Sequence, residues 1–369
     1  MPETPAPPPV LQPGTGPIRG QYVAAGVDEV LWGRLPCAAD APQLQVEPGA
    51  EVTFDTISHE GILEDQGRDP RAFFAPHEVE VLDDAVALAG STYERAPGVD
   101  GPHVVSRPVE VAGARRGDLL AVTILETLPR VPYGVISNRH GKGSLPEEYP
   151  RDGGVFSAFA RVTDDGAHAG LPLVPGGSEG PRFPLAPFLG VIGVAVEGDE
   201  RPHSVPPGPH GGNVDIALLT AGATLYLPVQ VDGAMAHVGD PHFAQGNGEV
   251  GLTAMEASLR ATVRLDVIAR EEAVAHFGQL AGPLAETAEH LVPTGMDPDL
   301  DVAVQRCVRA AIALLGARWG MDPRQAYAYL SAATDFEISQ VVDVVKGVHA
   351  TIRKADFAHL ERRGRRARA

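Results

Sequence analysis

The sequence predicts a mainly β protein, a β-sandwich or jelly-roll pattern that gives way to an α+β part near the C-terminus. Three observations predict it. The chain carries 42 glycines and 34 prolines in 369 residues, far more than helices tolerate, so many short strands must be joined by tight turns. From Leu252 to Val267 polarity alternates: Met255, Ala257, Leu259, Ala261, Val263, Leu265 and Val267 share one parity, while Glu256, Ser258, Arg260, Thr262, Arg264 and Asp266 share the other. After about residue 296 the apolar period becomes helical, with Val304, Cys307, Val308, Ala311, Leu314 and Leu315 on one face.

In chain order, residues 1–17 hold seven prolines and neither a basic nor an apolar stretch of the kind a signal peptide needs, so they read as a disordered leader. Residues 18–130 form an N-terminal sandwich unit, with strand-like text at Gln43–Val46, Glu51–Phe54, Val104–Val111 and Leu119–Leu125, punctuated by Pro48-Gly49 and by Gly117-Asp118. Residues 131–187 contain Pro132, Pro146, Pro150, Pro172, Pro175, Pro181, Pro184 and Pro187, and are expected to be a loop-rich excursion of the length that serves as a lid or a binding loop. A central β unit occupies 188–268, with strands at Leu189–Val196 and Thr224–Val229. An α+β unit fills 269–358, where Asp322-Pro323 starts a second helix as N-cap and first-turn proline. Its helices are expected to pack against the β units rather than stand alone. The arginine-rich stretch 359–369 reads as a solvated, frayed end.

Composition excludes several functions. With 44% hydrophobic residues the chain can bury a large core, and a formal charge of −18 repels phosphate backbones, so no sequence-independent nucleic-acid binding is expected. Only Cys37 and Cys307 occur, too few for a disulfide framework or a CxxC zinc site, which fits a reducing cytoplasm. No run of eighteen apolar residues is present, so no membrane association is expected.

The most informative stretch is His237-Val-Gly-Asp240-Pro-His242, followed by Phe-Ala-Gln245-Gly-Asn-Gly-Glu249. Two imidazoles and a carboxylate could hold Zn²⁺ at about 2.0–2.2 Å and leave a fourth position for water. That spacing lines one face of neither a helix nor a straight strand, so the segment must curl, and Gly239 and Pro241 supply a turn. The alternative is one ligand histidine, one hydrogen-bonded histidine, and Asp240 bracing a turn. Hydrolysis at a metal needs a nearby base. Glu249, seven residues past His242, is better placed than Glu256, which faces away from the apolar row; a solvated carboxylate remains the other reading for each.

Other segments are open to two readings. Phe54-Asp55-Thr-Ile-Ser58-His59-Glu60-Gly61 brings Asp, His and Glu into a loop after a strand, either as binding groups or as turn chemistry. The glycines around His210 and Asn213-Val-Asp215 permit close approach to a ligand or only a tight turn. Tyr133–Gly143, with Asn138 and His140, is a polar lid segment or a solvated loop. Gly176-Gly-Ser178-Glu-Gly180 matches a nucleophile elbow, but Pro175, Pro181 and Pro184 forbid the helix it needs. Gly246-Asn-Gly248-Glu-Val-Gly251 matches a dinucleotide fingerprint, yet a strand follows it and Glu249 would repel a pyrophosphate. Cys307, within an apolar stripe, reads as core.

Taken in order, Gly190–Ala195, Pro206–Asp215, Gly222–Val229 and His237–Val250 resemble the acetamidase/formamidase family, and the likeness extends more weakly through Ala326–Ser331 and Asp335–Asp343. It covers roughly residues 43–354. The resemblance implies hydrolysis of short amides to ammonia and a carboxylate, a fold of β-sandwich and small β-barrel parts with a C-terminal α+β part, and a divalent metal, Zn²⁺ or alternatively Ca²⁺. It carries over His237, Asp240, His242, Gln245 and Glu249, makes Asn213 and Asp215 walls of the site, and places an Asp at Asp55. Where that pattern has a small turn after the Asp, this chain has Ser58-His59-Glu60, so His59 joins the candidate ligands and Glu60 the candidate bases, after Glu249 and beside Glu256. The usual Thr-Gly-Pro reads Asp100-Gly101-Pro102-His103. With His140 as a further substrate contact, the expectation is a cytoplasmic, homo-oligomeric amidohydrolase acting on a small linear amide. Its rivals are a ligand-binding β-sandwich with a structural metal and a cupin-like metal oxygenase.

Overall fold

The structure, a computed structural model, describes residues 10–177 and 179–360. It is mainly β, with its longest helices near the C-terminal end. Two large sheets dominate. A nine-stranded sheet runs in the order Gln21–Val23, Ala50–Asp55, Leu259–Ile268, Leu119–Pro129, Thr224–Pro228, Leu284–Glu286, His290–Asp297, Lys346–Arg353 and Asp335–Gln340. The main path of a ten-stranded sheet runs Arg182–Pro184, His168–Gly170, Val155–Val162, Tyr133–Arg139, Met255–Glu256, His237–Ala244, Phe188–Gly193 and Gly211–Asn213. Val104–Ser106 joins it by pairing with His237–Ala244 and carries Val30–Trp32 on its other edge.

The sheets pack through their apolar faces. Val52, Phe54, Leu120, Val122, Leu225 and Val263 of the first meet Phe188, Leu189, Ile192 and Val238 of the second in one buried cluster. Alternation along Leu259–Ile268 follows from this burial: Leu259, Ala261, Val263 and Leu265 are all at most 1% exposed. Alternation conceals a break, because Met255-Glu256 belongs to one sheet and Leu259–Ile268 to the other, so the chain crosses between them at Ala257-Ser258.

Residues 131–187 correct the expectation of a loop-rich excursion: they contain four strands that form an antiparallel meander. The prolines lie outside these strands or, for Pro184, at the end of an edge strand, where a missing N–H disturbs no ladder. Residues 10–17, expected to be part of a disordered leader, are docked. The Leu11 amide donates to the Arg130 carbonyl and its own carbonyl accepts from Arg130 Nε, while the carbonyls of Thr15 and Pro17 accept from the Arg260 guanidinium. Residues 1–9, Ser178 and residues 361–369 lie outside the described residues.

The helix Leu300–Trp319 is capped by the Asp299 carboxylate, which accepts from the amides of Asp301 and Val302, and ends at Gly320 in the left-handed region. Ala311, Leu314 and Leu315 meet Leu119, Leu291 and Ile352 of the nine-stranded sheet, while Cys307 is buried with Val348 and Ala350. The helix Pro323–Ala333, capped by Asp322, adds Ala326 and Leu330 to the same layer. Stretches 18–130, 188–268 and 269–358 all supply strands to the nine-stranded sheet. No described helix is long and apolar enough to cross a membrane.

Candidate metal centre

The strand His237–Ala244 lies between Met255-Glu256 and Phe188–Gly193. His242 stands opposite Glu256 in register, so the two side chains share a face, with His242 Nε2 3.1 Å from Glu256 Oε1. Asp240 has the parity of His242 and brings its Oδ2 to 3.0 Å from the same nitrogen. On the neighbouring strand Gly190 makes the room: a Cβ there would lie 2.5 Å from Asp215 Oδ1, 2.6 Å from Asp240 Oδ2 and 2.7 Å from His242 Cε1. Asp215, Asp240 and Glu249 adopt φ of 46°, 50° and 47°, a left-handed conformation uncommon outside glycine and concentrated at functional sites.

Two further histidines arrive from distant loops. His59, beyond the strand Ala50–Asp55, places Nδ1 3.4 Å from Asp240 Oδ1 and 3.9 Å from Glu256 Oε2, and turns Nε2 toward Glu60, 3.4 Å away. Glu60 accepts from Ser137 Oγ at 2.5 Å, Arg139 Nη1 at 3.1 Å and the Gln66 amide, and so is held in place to brace His59. His103, just ahead of Val104–Ser106, puts Nε2 3.8 Å from Asp240 Oδ2 while Ser204 engages its Nδ1, with Oγ at 3.0 Å. Buttressing of this kind fixes a ring for ligation through its other nitrogen.

An acidic half completes the site. Asp215 Oδ1 lies 3.9 Å from His242 Nδ1. The turn carrying Glu249 is held by backbone bonds between Gly248 and both Ser339 and Val341, which also brings the 341–345 loop and Asp343 alongside. Gln245 Nε2 donates to the carbonyls of Asp215 and Ser339 and so ties these segments together.

Three overlapping sets have ligating atoms within 4.8 Å of one another: His59, His103 and Asp240; Asp240, His242 and Glu256; Asp215, His242 and Glu249. All are buried. Both nitrogens of His242, both oxygens of Asp215, and one atom each of His59, Asp240, Glu249, Glu256 and Asp343 find no hydrogen-bond partner in the protein. The short approaches between them are thus close polar contacts without hydrogen-bond geometry. Buried unpaired groups cost free energy, and a cation is one partner that such a cluster could hold.

Electrostatics agree. Burial pushes Asp215 and Glu249 well above the usual carboxylate range, with Glu249 and Asp343 repelling Asp215 and with Asp343 repelling Glu249. Burial also takes Asp343 up to about 7. Burial disfavours protonation of His59, but Glu256, Asp240 and Glu60 prevail and hold it up at about 10. Glu60, despite its own burial, is held down at about 2 by His59 and Arg139. Burial lowers His103 to about 4.

Of the residues singled out in the sequence, Asp240, His242, His59, Glu249, Glu256 and Asp215 converge here, with Glu60 and Gln245 bracing them. Asp55 and His237 stand outside all three sets. The Asp55 carboxylate is occupied by Arg260, through Nε at 2.6 Å and Nη2 at 2.8 Å, and by the Tyr22 hydroxyl at 2.6 Å. His237 has the opposite strand parity to His242 and lies over Gly193, whose Cβ would meet its Nε2 at 2.5 Å. His140 is exposed, with Nδ1 3.3 Å from the Pro150 carbonyl. Asn213 is buried with its Oδ1 unpartnered. Sequence reasoning assigned no site role to His103 or Asp343. His103, in a stretch already seen to depart from its relatives and directly before a strand, carried a usable signal; Asp343, a lone acid after Val341-Val342, carried a weak one.

A two-sheet β fold around a buried cluster of histidines and carboxylates defines the class of this chain, and comparison with known proteins narrows it. The model of the acetamidase/formamidase family matches residues 90–203 and 196–354, and the chain belongs to that family. It is 28% identical over 202 residues to an acetamidase of Mycolicibacterium smegmatis, a match covering 40% of this chain and 49% of that protein. Over 304 residues it is 26% identical to a formamidase of Methylophilus methylotrophus, covering 66% and 74% respectively. The chain thus spans about half of the first relative and about three quarters of the second. The crystal structure of an acetamidase from Yersinia enterocolitica superposes with a TM-score of 0.72 at 25% identity, covering 94% of each chain.

Proposed function

We propose that the protein is a metal-dependent hydrolase of short linear amides, releasing ammonia and a carboxylate. The observation that carries this reading is the buried set of unpartnered ligating atoms on His242, Asp215, Asp240, Glu249, Glu256 and His59. Family membership and the amidase names of its relatives point to the same chemistry.

The donors fit a divalent ion. His59, His103 and Asp240 offer the nitrogen-rich set that suits Zn²⁺, while Asp215 and Glu249 beside His242 offer the oxygen-rich set that a harder cation such as Ca²⁺ accepts. A bound ion would polarise the amide carbonyl and favour loss of a proton from water. The protein's own residues do the rest. Glu249, with one oxygen unpartnered and buried, takes a proton from the attacking water and delivers it to the departing nitrogen, without which an amine is a poor leaving group. Phe188, edge-on to His242 at 4.9 Å between ring centroids, holds that ring in place and keeps water off one side. Glu60 and Ser204 fix the rings of His59 and His103.

Ammonia release from formamide, acetamide and longer amides, paired with metal analysis, tests the proposal. Glu249→Gln, which leaves His59, His103 and Asp240 intact, is expected to retain an ion held by that set while kcat falls by about 10²–10⁴-fold. Full activity after chelation has removed all metal, or parental turnover by Glu249→Gln, would overturn it.

A further inference from the structure

The loop that carries Asp343 is built in an unusual way. Val344 adopts φ +66° and is 70% exposed, and the amide of Val345 donates to the carbonyl of Asp343 at 2.6 Å, spanning only two residues. A three-residue turn with positive φ at its centre is strained, and a β-branched residue there is a conformational outlier. Such a turn persists only where its surroundings over-determine it.

Those surroundings include one side chain. Gln340, wholly buried at the end of Asp335–Gln340, donates from Nε2 to the Val345 carbonyl at 2.8 Å. Its Oε1 accepts from the amides of Val342 at 2.9 Å and Asp343 at 3.1 Å. The amide group thus closes the loop from inside on both flanks of Val344. Across this turn the Asp343 carboxylate is buried, with Oδ2 unpartnered, and the bonds of Gly248 to Ser339 and Val341 hold its loop against the turn that carries Glu249.

We infer that Gln340 is a positioning residue, and that its amide clamps the strained turn at Val344 so that Asp343 supplies a third carboxylate to the Asp215–Glu249 half of the metal centre. The inference rests on the metal-binding part of the proposed function and assigns Asp343 to cation affinity, with Gln340 acting only through it. Val344 contributes strain and an outward side chain, and no contact with the site is needed from it.

The full-length protein, stripped of metal, is titrated with Zn²⁺ and separately with Ca²⁺ by calorimetry. Gln340→Ala and Asp343→Asn should each weaken binding of at least one of these ions by about 10–100-fold, the usual effect of losing a ligand or its support. Because both act through one carboxylate, the double variant should lose little more than either single variant. Glycine adopts positive φ freely, so Val344→Gly in the Gln340→Ala background should recover part of the lost affinity, which a general loss of packing would not allow. Parental affinity for both ions in Asp343→Asn overturns the inference, as does fully additive loss in the double variant. If Gln340→Ala fails to fold, Asp343→Asn and the milder Gln340→Glu, which keeps an acceptor for the two amides but loses the donor, decide the matter by the same titration, and parental affinity in either overturns it. A parent that binds neither ion overturns the metal reading beneath the inference; a parent that binds metal, with variants that bind equally well, overturns the inference alone.

Discussion

Gly190→Ala adds one methyl group at the point where Asp215, Asp240 and His242 meet, and tests whether their convergence is what the site requires. The new Cβ would stand 2.5, 2.6 and 2.7 Å from atoms of those residues, where real Cβ atoms essentially never approach within 3.0 Å. To reach an ordinary contact of 3.4 Å, the Asp215 oxygen must withdraw by about 0.9 Å and the Asp240 oxygen by about 0.8 Å. Neither can move freely. Asp215 and Asp240 are 1% and 3% exposed, and both are held on backbone at positive φ. Functional constellations tolerate displacements of about 0.5 Å, and a misplacement near 1 Å can cost about 10²-fold in rate. Gly190→Ala is therefore expected to lose about 10²-fold in kcat/KM for ammonia release and about 10–100-fold in metal affinity. Overpacking should also remove about 1–3 kcal/mol of stability.

Gly246→Ala is the control, since a Cβ there meets nothing within 4 Å although the residue lies in the turn leading to Glu249. Both variants are purified, analysed for bound metal, and assayed with acetamide and formamide after thermal denaturation has shown that they are folded. Gly190→Ala with parental metal content and turnover would refute the reasoning, because the three ligating atoms could then separate by most of an ångström without consequence.

Two further outcomes follow from buried charge. Burial holds His210, His237 and His349 at about 4, 3 and 4, below the ordinary value near 6.5. The unfolded chain therefore takes up these protons first, so the stability they allow is intact above pH 6.5 and is lost as pH falls toward 4. At pH 5.5 each costs on the order of 1 kcal/mol, and urea midpoints of the parent and of His349→Gln at pH 7.5 and 5.5 separate one such share from the raised carboxylates of the site, which titrate with the opposite sign; a parent that loses no ground to the variant between the two pH values would count against neutral burial. Deleting residues 1–17, compared with a deletion that stops at residue 9, removes the carbonyls of Leu11, Thr15 and Pro17 from the buried guanidiniums of Arg130 and Arg260. A loss of about 1–3 kcal/mol for each unsatisfied charged group should lower the melting temperature of the longer deletion alone.

The sequence disclosed what is local and periodic. Alternation marked Leu259–Ile268, the helical stripe marked Leu300–Trp319, and Asp322-Pro323 marked the start of Pro323–Ala333, because each pattern is a direct record of which face is buried. It hid the passage of the chain from one sheet to the other at Ala257-Ser258, since the apolar residues keep one parity on both sides of the crossing. Proline density misdescribed 131–187, because composition does not say whether prolines interrupt strands or merely separate them.

Within the site the same distinction explains both gains and losses. His237, Asp240 and His242 form an attractive ligand set when a curled segment is assumed. The segment is instead a strand in which Asp240 and His242 share a face and His237 does not, so nearness in sequence misleads by one step of a period of two. The histidines that do join Asp240 in a candidate set come from afar: His59 and His103 are 181 and 137 residues from it, delivered by the strands Ala50–Asp55 and Val104–Ser106 in the two different sheets. Asp343, 103 residues beyond Asp240, arrives through the pairing of Gly248 with Gln340. A lone His or Asp carries no period, so its role can be read only once strand register is known. The left-handed backbone at Asp215, Asp240 and Glu249 was equally hidden, since no residue pattern announces a conformation that costs free energy and recurs where function holds the chain.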